Sequence, residues 1–260
     1  MKRSLTLIAL LLVGLAPVPS FAHSLWVLVP QGEDKVVKLW YSDGPEPGRA
    51  SMIHRVLETK VFLANPGSDP IAIPMKHIEL SEETAEMSAN LPKPAALLSA
   101  ICDIGVKESR RRKPSPEAEA AKAEGGTERP ARERKEEPPT REWYFCKYAT
   151  SQAIQAQDAE KASEQTSARL DLVPRLEGDT LYLSASLDGK PAKQLNISIT
   201  DASGQRQRLS TDENGKAKLE GISTGRYAVR GKLVLDEAGE VNGKPYTKTA
   251  LVSSLILDVE

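Results

Sequence analysis

The clearest evidence for the fold lies in residues 181–232, LYLSASLDGKPAKQLNISITDASGQRQRLSTDENGKAKLEGISTGRYAVRGK. Short apolar or alternating runs recur there, and turn sequences such as Asp188-Gly189 and Ser203-Gly204 separate them. Short strands at even spacing are typical of a β-sandwich of the immunoglobulin type or a relative of it. The strands predicted in this half of the chain are 181–187, 195–200, 206–210, 217–219, 225–232 and 251–259.

The amino-terminal half carries a similar pattern at less regular spacing, with runs rich in β-branched and aromatic residues. We therefore predict an all-β chain with two antiparallel, immunoglobulin-like β-sandwich modules, at residues 23–173 and 174–260. The strands predicted in the first module are 27–29, 35–41, 60–63, 71–73 and 96–106, with one or two helical turns over 51–57.

A charged insertion interrupts the first module between residues 107 and 142. It has 11 basic and 9 acidic residues and no Val, Ile, Leu, Met, Phe or Trp. Such a segment cannot bury enough apolar surface to offset its ordering entropy, so we expect a disordered or partly helical insertion between two strands. Residues 150–168 are rich in Gln, Ala, Glu and Ser and are predicted to form a linker or an exposed helix.

Residues 1–22 have the pattern of a secretory signal peptide. A basic start precedes an uncharged apolar run, and the small residues Ser20 and Ala22 stand at positions −3 and −1 of a cleavage site. The apolar run is too short to span a membrane as a helix. Cleavage after Ala22 makes His23 the first residue of an exported protein, located in the periplasm or secreted.

Composition argues against several functional classes. The 35 Lys and Arg residues nearly balance the 36 Asp and Glu residues, so no basic surplus is present to bind nucleic acid. Outside the signal, no apolar run reaches the roughly 18 residues of a membrane-spanning helix. No hydrolase, P-loop or dinucleotide motif occurs, and we predict that the protein is not an enzyme.

The two cysteines, Cys102 and Cys146, both fall in strand-like sequence. An even number of cysteines in an oxidising compartment favours one disulfide, which would clamp the base of the charged insertion. Two free buried thiols, or a pair of metal ligands, are the alternatives.

His23, His54 and His77 are the three histidines of the chain and the candidate metal ligands. As a first residue, His23 would offer an α-amine and an imidazole, a nitrogen pair that suits Ni or Cu. Asp43, Glu46 or another histidine could complete the site. His54 and His77 are more simply explained as surface or half-buried histidines, and His23 as merely the place where the peptidase cuts.

Several segments resemble a family of exported bacterial proteins that includes the NikM-like periplasmic component of nickel/cobalt uptake systems. The start Ala22-His23 with Trp26 resembles the family's A-H-x-x-W motif. Further similar segments are 36–48, 102–106, 148–149, 189–191, 211–216, 225–227 and 242–246.

The resemblance implies an exported β-sandwich protein that binds a divalent ion such as Ni, Co or Cu and works with a membrane transporter component. Leu251 and Val252 depart from the family, because many members carry His-Tyr there. That departure favours the alternative of a structural or adhesion module that binds an envelope protein and no metal. A third hypothesis, a copper enzyme with an amino-terminal His brace, requires His54 or His77 close to His23.

Overall fold

The computed structural model describes residues 23–64, 69–107, 138–155 and 168–260, and within them the predicted all-β class is confirmed. The predicted signal peptide and most of the predicted charged insertion lie outside the described residues. The strands are β1 (Ser24–Leu28), β2 (Val36–Ser42), β3 (Gly48–Arg49), β4 (Lys60–Leu63), β5 (Ile71–Ile73), β6 (His77–Leu80), β7 (Thr84–Asn90), β8 (Leu97–Lys107), β9 (Thr140–Thr150), β10 (Leu170–Glu177), β11 (Thr180–Leu187), β12 (Lys190–Pro191), β13 (Asn196–Thr200), β14 (Arg206–Ser210), β15 (Lys216–Leu219), β16 (Gly225–Leu235), β17 (Gly239–Val241), β18 (Lys244–Tyr246) and β19 (Lys248–Val259). A 3-10 helix (Ala50–Arg55) and a short helix α1 (Ser151–Gln155) complete the described elements.

Three sheets carry most of these strands. The central sheet has eight strands in the order β14-β13-β16-β19-β9-β8-β4-β5, and only its β19–β9 pair is parallel. The N-sheet has the order β1-β2-β7-β3, with β6 also paired to β7. The C-sheet has the order β10-β11-β12, with β15 also paired to β11. Strands β17 and β18 form a separate hairpin.

The central sheet is the middle layer of three, because its two faces belong to different hydrophobic cores. Side chains alternate between the faces of a strand. In β9, Tyr144 and Cys146 join the core formed with the N-sheet, whereas Phe145 and Ala149 join the core formed with the C-sheet. Strand β19 alternates in the same way, and its buried residues Leu251, Val252, Leu255, Ile256 and Leu257 divide between the two cores.

The central sheet takes four strands from each half of the chain. The module boundary predicted at 173/174 falls inside β10, and the sheet joins residues on both sides of it. The joining contact is the parallel β9–β19 pair, in which Thr140 pairs with Lys248. Local sequence patterns cannot predict a pairing between residues so far apart in the chain.

Regular elements extend into the ends of both predicted polar segments, and residues 156–167 of the predicted linker lie outside the described residues. Lys107 closes β8 and pairs with Thr140 of β9, so both borders of the predicted insertion belong to strands. In the predicted linker or exposed helix, α1 forms, but Ser151, Ala153 and Ile154 are buried. The predicted segment has no apolar stripe along its whole length. The five-residue helix α1 is short enough to bury these residues against a sheet without such a stripe.

Strand β1 is an edge strand of the N-sheet, yet all five of its residues are buried. Side chains of the central sheet contact the backbone groups on the free edge of β1. The Ser254 hydroxyl donates to the Leu25 carbonyl, and the Cys146 sulfur lies beside the backbone N–H of Val27. Just beyond the end of β1, the Arg226 guanidinium donates to the carbonyl of Val29 at 2.8 Å. These contacts hold β1 in place against the central sheet.

One ion pair lies within the core between the central sheet and the C-sheet. Lys147 of β9 bonds to Asp171 of β10, and their side chains are 9% and 10% exposed. Burial lowers the pKa of Lys147, while the carboxylate of Asp171 opposes that change. The ion pair thus joins the central sheet to the C-sheet through two charged groups that are shielded from water.

Replacing Lys147 alone should destabilise the protein strongly. A Lys147→Met substitution leaves the Asp171 carboxylate buried without its cation, and we expect a loss of about 3–5 kcal/mol in the free energy of unfolding. The double variant Lys147→Met/Asp171→Leu should recover most of that loss. Urea unfolding measures both, with Lys218→Met of the exposed Lys218–Glu220 pair as a control that should change little. Equal losses in the single and double variants would contradict the role of the pair.

A second charge cluster, on the N-sheet, makes stability depend on pH. Burial raises the pKa of Glu86, but hydrogen bonds from Lys38 Nζ and Trp40 Nε1, each 2.6 Å long, outweigh it and hold the pKa below its ordinary value. A carboxylate with a lowered pKa stabilises the fold above its unfolded pKa, and the contribution is lost as the pH falls through the folded pKa. A Glu86→Gln variant should therefore be less stable than the original at pH 7, and the difference should shrink towards pH 3. Urea unfolding at the two pH values tests this, and a difference that is independent of pH would contradict it.

Candidate metal site

His23 lies directly before β1 and faces the turn that follows β2. Because Ser24 pairs with Ser42, the next residue along β2, Asp43, comes beside His23. The backbone N–H of His23 donates to Asp43 Oδ1 at 2.7 Å, and His23 Nδ1 lies 3.5 Å from the same oxygen. Antiparallel pairing thus brings two nitrogens close to the carboxylate of Asp43, which is one of the several additional ligands that the sequence offered.

The turn between β2 and β3 is held in a fixed shape. The Ser42 hydroxyl points to the carbonyl oxygens of Gly44 and Glu46, at 2.5 and 2.6 Å. Gly48 passes so close to Tyr41 that a Cβ atom there would lie 2.2 Å from the Tyr41 carbonyl oxygen. Glycine is required at this position, and it keeps the turn, including Asp43, folded back on the strand.

Tyr41 supports the imidazole of His23. The two ring centroids are 5.3 Å apart with a 35° tilt. Tyr41 in turn meets Tyr144 of β9 edge to face at 5.5 Å, with the two hydroxyls 3.4 Å apart. Burial raises the pKa of Tyr41, so the phenol stays neutral and acts as a packing partner. The sequence analysis missed this role, although the inward alternation of Val37, Leu39 and Tyr41 in β2 indicates it.

The other two histidines lie elsewhere. His77 is exposed on β6 opposite Ser88, and that row of residues meets β1 at Leu28. Leu28 is five residues beyond His23, which corresponds to about 17 Å of extended strand, far more than a shared ion of roughly 2 Å bond length allows. His54 is exposed on the 3-10 helix.

The three histidines do not form one site. Among the described residues, no group of three or more His, Cys, Asp or Glu side chains is arranged to hold a metal ion. What remains of the predicted ligand set is His23 with Asp43, whose side chains are 22% and 71% exposed.

The predicted disulfide is absent, and Cys102 and Cys146 are both free and buried. In the β8–β9 pair, Cys102 lies opposite Tyr144, and Cys146 lies opposite Ala100. The thiols are therefore diagonal neighbours, whose Cα atoms are about 7–8 Å apart in an antiparallel sheet, beyond the usual range of a disulfide. The backbone ladder, and not a disulfide, holds β8 and β9 together.

Thiol titration should find two protected thiols. Burial raises the pKa of both cysteines, so little of the reactive thiolate forms in the folded protein. We expect an aromatic disulfide reagent to react slowly with the native chain and to count two thiols after unfolding without reductant. Fewer than two thiols in the unfolded, unreduced protein would show instead that the two cysteines form a disulfide.

Within the described part of the chain, no helix is long and apolar enough to cross a bilayer. Comparison with known proteins adds no relative: no protein-family model matches the sequence, and a search of curated proteins finds no significant match.

Proposed function

We propose that the chain is an exported, non-enzymatic protein that captures a divalent transition metal ion at the amino end of its processed form. The donors are the α-amine and imidazole of His23 and the carboxylate of Asp43. The proposed partner, suggested by the sequence resemblance to NikM-like proteins, is a membrane transport component that receives the ion.

The spacing of the donors carries this proposal. Metal–nitrogen and metal–oxygen bonds of about 2.0–2.2 Å, set roughly at right angles, place neighbouring donor atoms about 3 Å apart. The His23 nitrogen lies 2.7 Å from Asp43 Oδ1, and His23 Nδ1 lies 3.5 Å from that oxygen. Both distances to the carboxylate oxygen are therefore within about half an ångström of the spacing that one shared ion requires.

The backbone of His23 supports processing at this point. Its φ angle is +58°, in the left-handed region that non-glycine residues rarely adopt. A first residue has no preceding carbonyl and hence no such restriction. Cleavage before His23 would relieve a strain of about 1–2 kcal/mol and convert an amide N–H into a metal-binding amine.

The donor types favour particular ions. Two nitrogen donors and one carboxylate suit Ni, Co and Cu, and the affinity of such a site rises from Co through Ni to Cu. Open coordination positions remain for water or for a group of the receiving partner. A site with few protein ligands and an exposed carboxylate is suited to transfer of the ion and less to permanent storage.

Metal titration of the processed protein tests the proposal. Calorimetry with Ni(II), Co(II) and Cu(II) should give one ion per chain, because a single set of such donors converges among the residues that the structure describes. His23→Ala, or retention of one residue before His23, should weaken binding at least about tenfold, since each removes a nitrogen ligand. Asp43→Asn should weaken it less.

His77→Ala is the matched control, because it removes an exposed histidine far from Asp43 and should leave the affinity unchanged. Equal binding by the original protein and by His23→Ala would refute the metal site. Recovery of an envelope protein in a chelator-insensitive pull-down would then favour the structural module.

A further inference from the structure

A second site lies beside Asp43, where the N-sheet stops covering the central sheet. Strand β1 packs across β8, β9 and β19, and a cleft opens next to it over β13, β14 and β16. The cleft is lined by Trp26, Asp43, Ser198, Thr200, Arg206 and Arg230, among others.

Strand register places the polar lining on one face of the central sheet. Ser198 pairs with Arg230 of β16, and Thr200 pairs with Arg206 of β14. Residues directly opposite each other in neighbouring strands point to the same side. Two guanidinium groups and two hydroxyls therefore converge from three strands, which is a rigid base for a site.

Serine hydroxyls orient both guanidinium groups. Arg206 Nε donates to Ser198 Oγ at 2.6 Å, and Arg230 Nη1 donates to Ser24 Oγ at 3.1 Å. Arg230 is only 8% exposed, whereas Arg206 is exposed. One arginine thus forms the floor of the cleft and the other its outer wall.

Positive charge predominates among the described residues that line the cleft, which include two guanidinium groups and the carboxylate of Asp43. Burial lowers the pKa of Arg230, and the like charge of Arg206 lowers it further, while Asp43 acts in the opposite direction. A bound anion would be attracted by both guanidinium groups, and desolvation at Arg230 would strengthen the attraction.

We propose that this cleft binds a small oxyanion, a phosphate or a carboxylate, through Arg206 and Arg230, with Ser198 and Thr200 as hydroxyl partners. The planar guanidinium group presents paired N–H donors that match the two oxygens of such an anion. The Asp43 carboxylate is a repulsive neighbour at the rim. The site needs no metal, because its recognition groups are cations and hydroxyls.

Calorimetric titration of the chelator-treated protein with inorganic phosphate, and separately with succinate, tests this site at low ionic strength. We expect at least one of them to bind with one-to-one stoichiometry. Arg206→Ala should weaken that binding at least about tenfold, because it removes a charge-assisted pair of bonds. The exposed position of Arg206 makes this variant safer for folding than a change at the buried Arg230.

Arg175→Ala is the charge-matched control, since it removes an exposed guanidinium group of the C-sheet that does not line the cleft, and it should change the affinity less than twofold. Asp43→Asn should strengthen anion binding, because it removes a like charge, while it weakens metal binding. Absence of binding by both anions, an Arg175→Ala loss equal to that of Arg206→Ala, or no gain in Asp43→Asn would each overturn the proposal. None of these outcomes depends on whether His23 binds a metal.

Discussion

The buried free edge of β1 is the constraint on which the rest of the structure depends. An edge strand normally leaves a row of backbone groups to water or to another strand. Here the strand lies against the central sheet, and each backbone group left unmatched there would cost about 1–3 kcal/mol. Ser254, Cys146 and Arg226 supply the missing partners from three neighbouring strands. Both candidate sites flank the strand that these side chains hold.

The same arrangement explains the composition of the middle layer. Strands covered on both faces have no solvent side, so their sequences lose the alternation of apolar and polar residues. In β19, Leu251–Leu257 is buried throughout, with serines at 253 and 254 as its polar exceptions. Ser254 bonds to β1, and Lys147, one of the buried polar residues of β9, pairs with Asp171. These two polar residues are therefore placed where they join one layer to another.

Local patterns predicted the elements well and their assembly poorly. All six strands predicted after residue 180 occur, because each is a short run between turn residues. Strand β7 (Thr84–Asn90) was missed, since its sequence TAEMSAN has few β-branched residues and is held by pairing with β2 and β6. The disulfide was wrong because cysteine number and compartment do not report strand register.

In the candidate sites, too, a contact between residues close in the sequence was easier to predict than a contact between distant residues. Pairing His23 with Asp43 required only a strand, a turn and a return strand, all visible in the sequence. The two arginines of the cleft are 24 positions apart and meet only through β13. The alternation of basic residues in β14, at Arg206 and Arg208, was the one sequence sign of a charged sheet face there.

The parallel contact between β9 and β19 also bears on how the protein reaches its final form. Thr140 and Lys248 are neighbours in the sheet, although 108 residues separate them along the chain. During synthesis, β9 must wait for its partner, and long-range pairing of this kind slows folding. A nascent chain with an unfinished middle layer therefore stays unfolded until its last strand has been made.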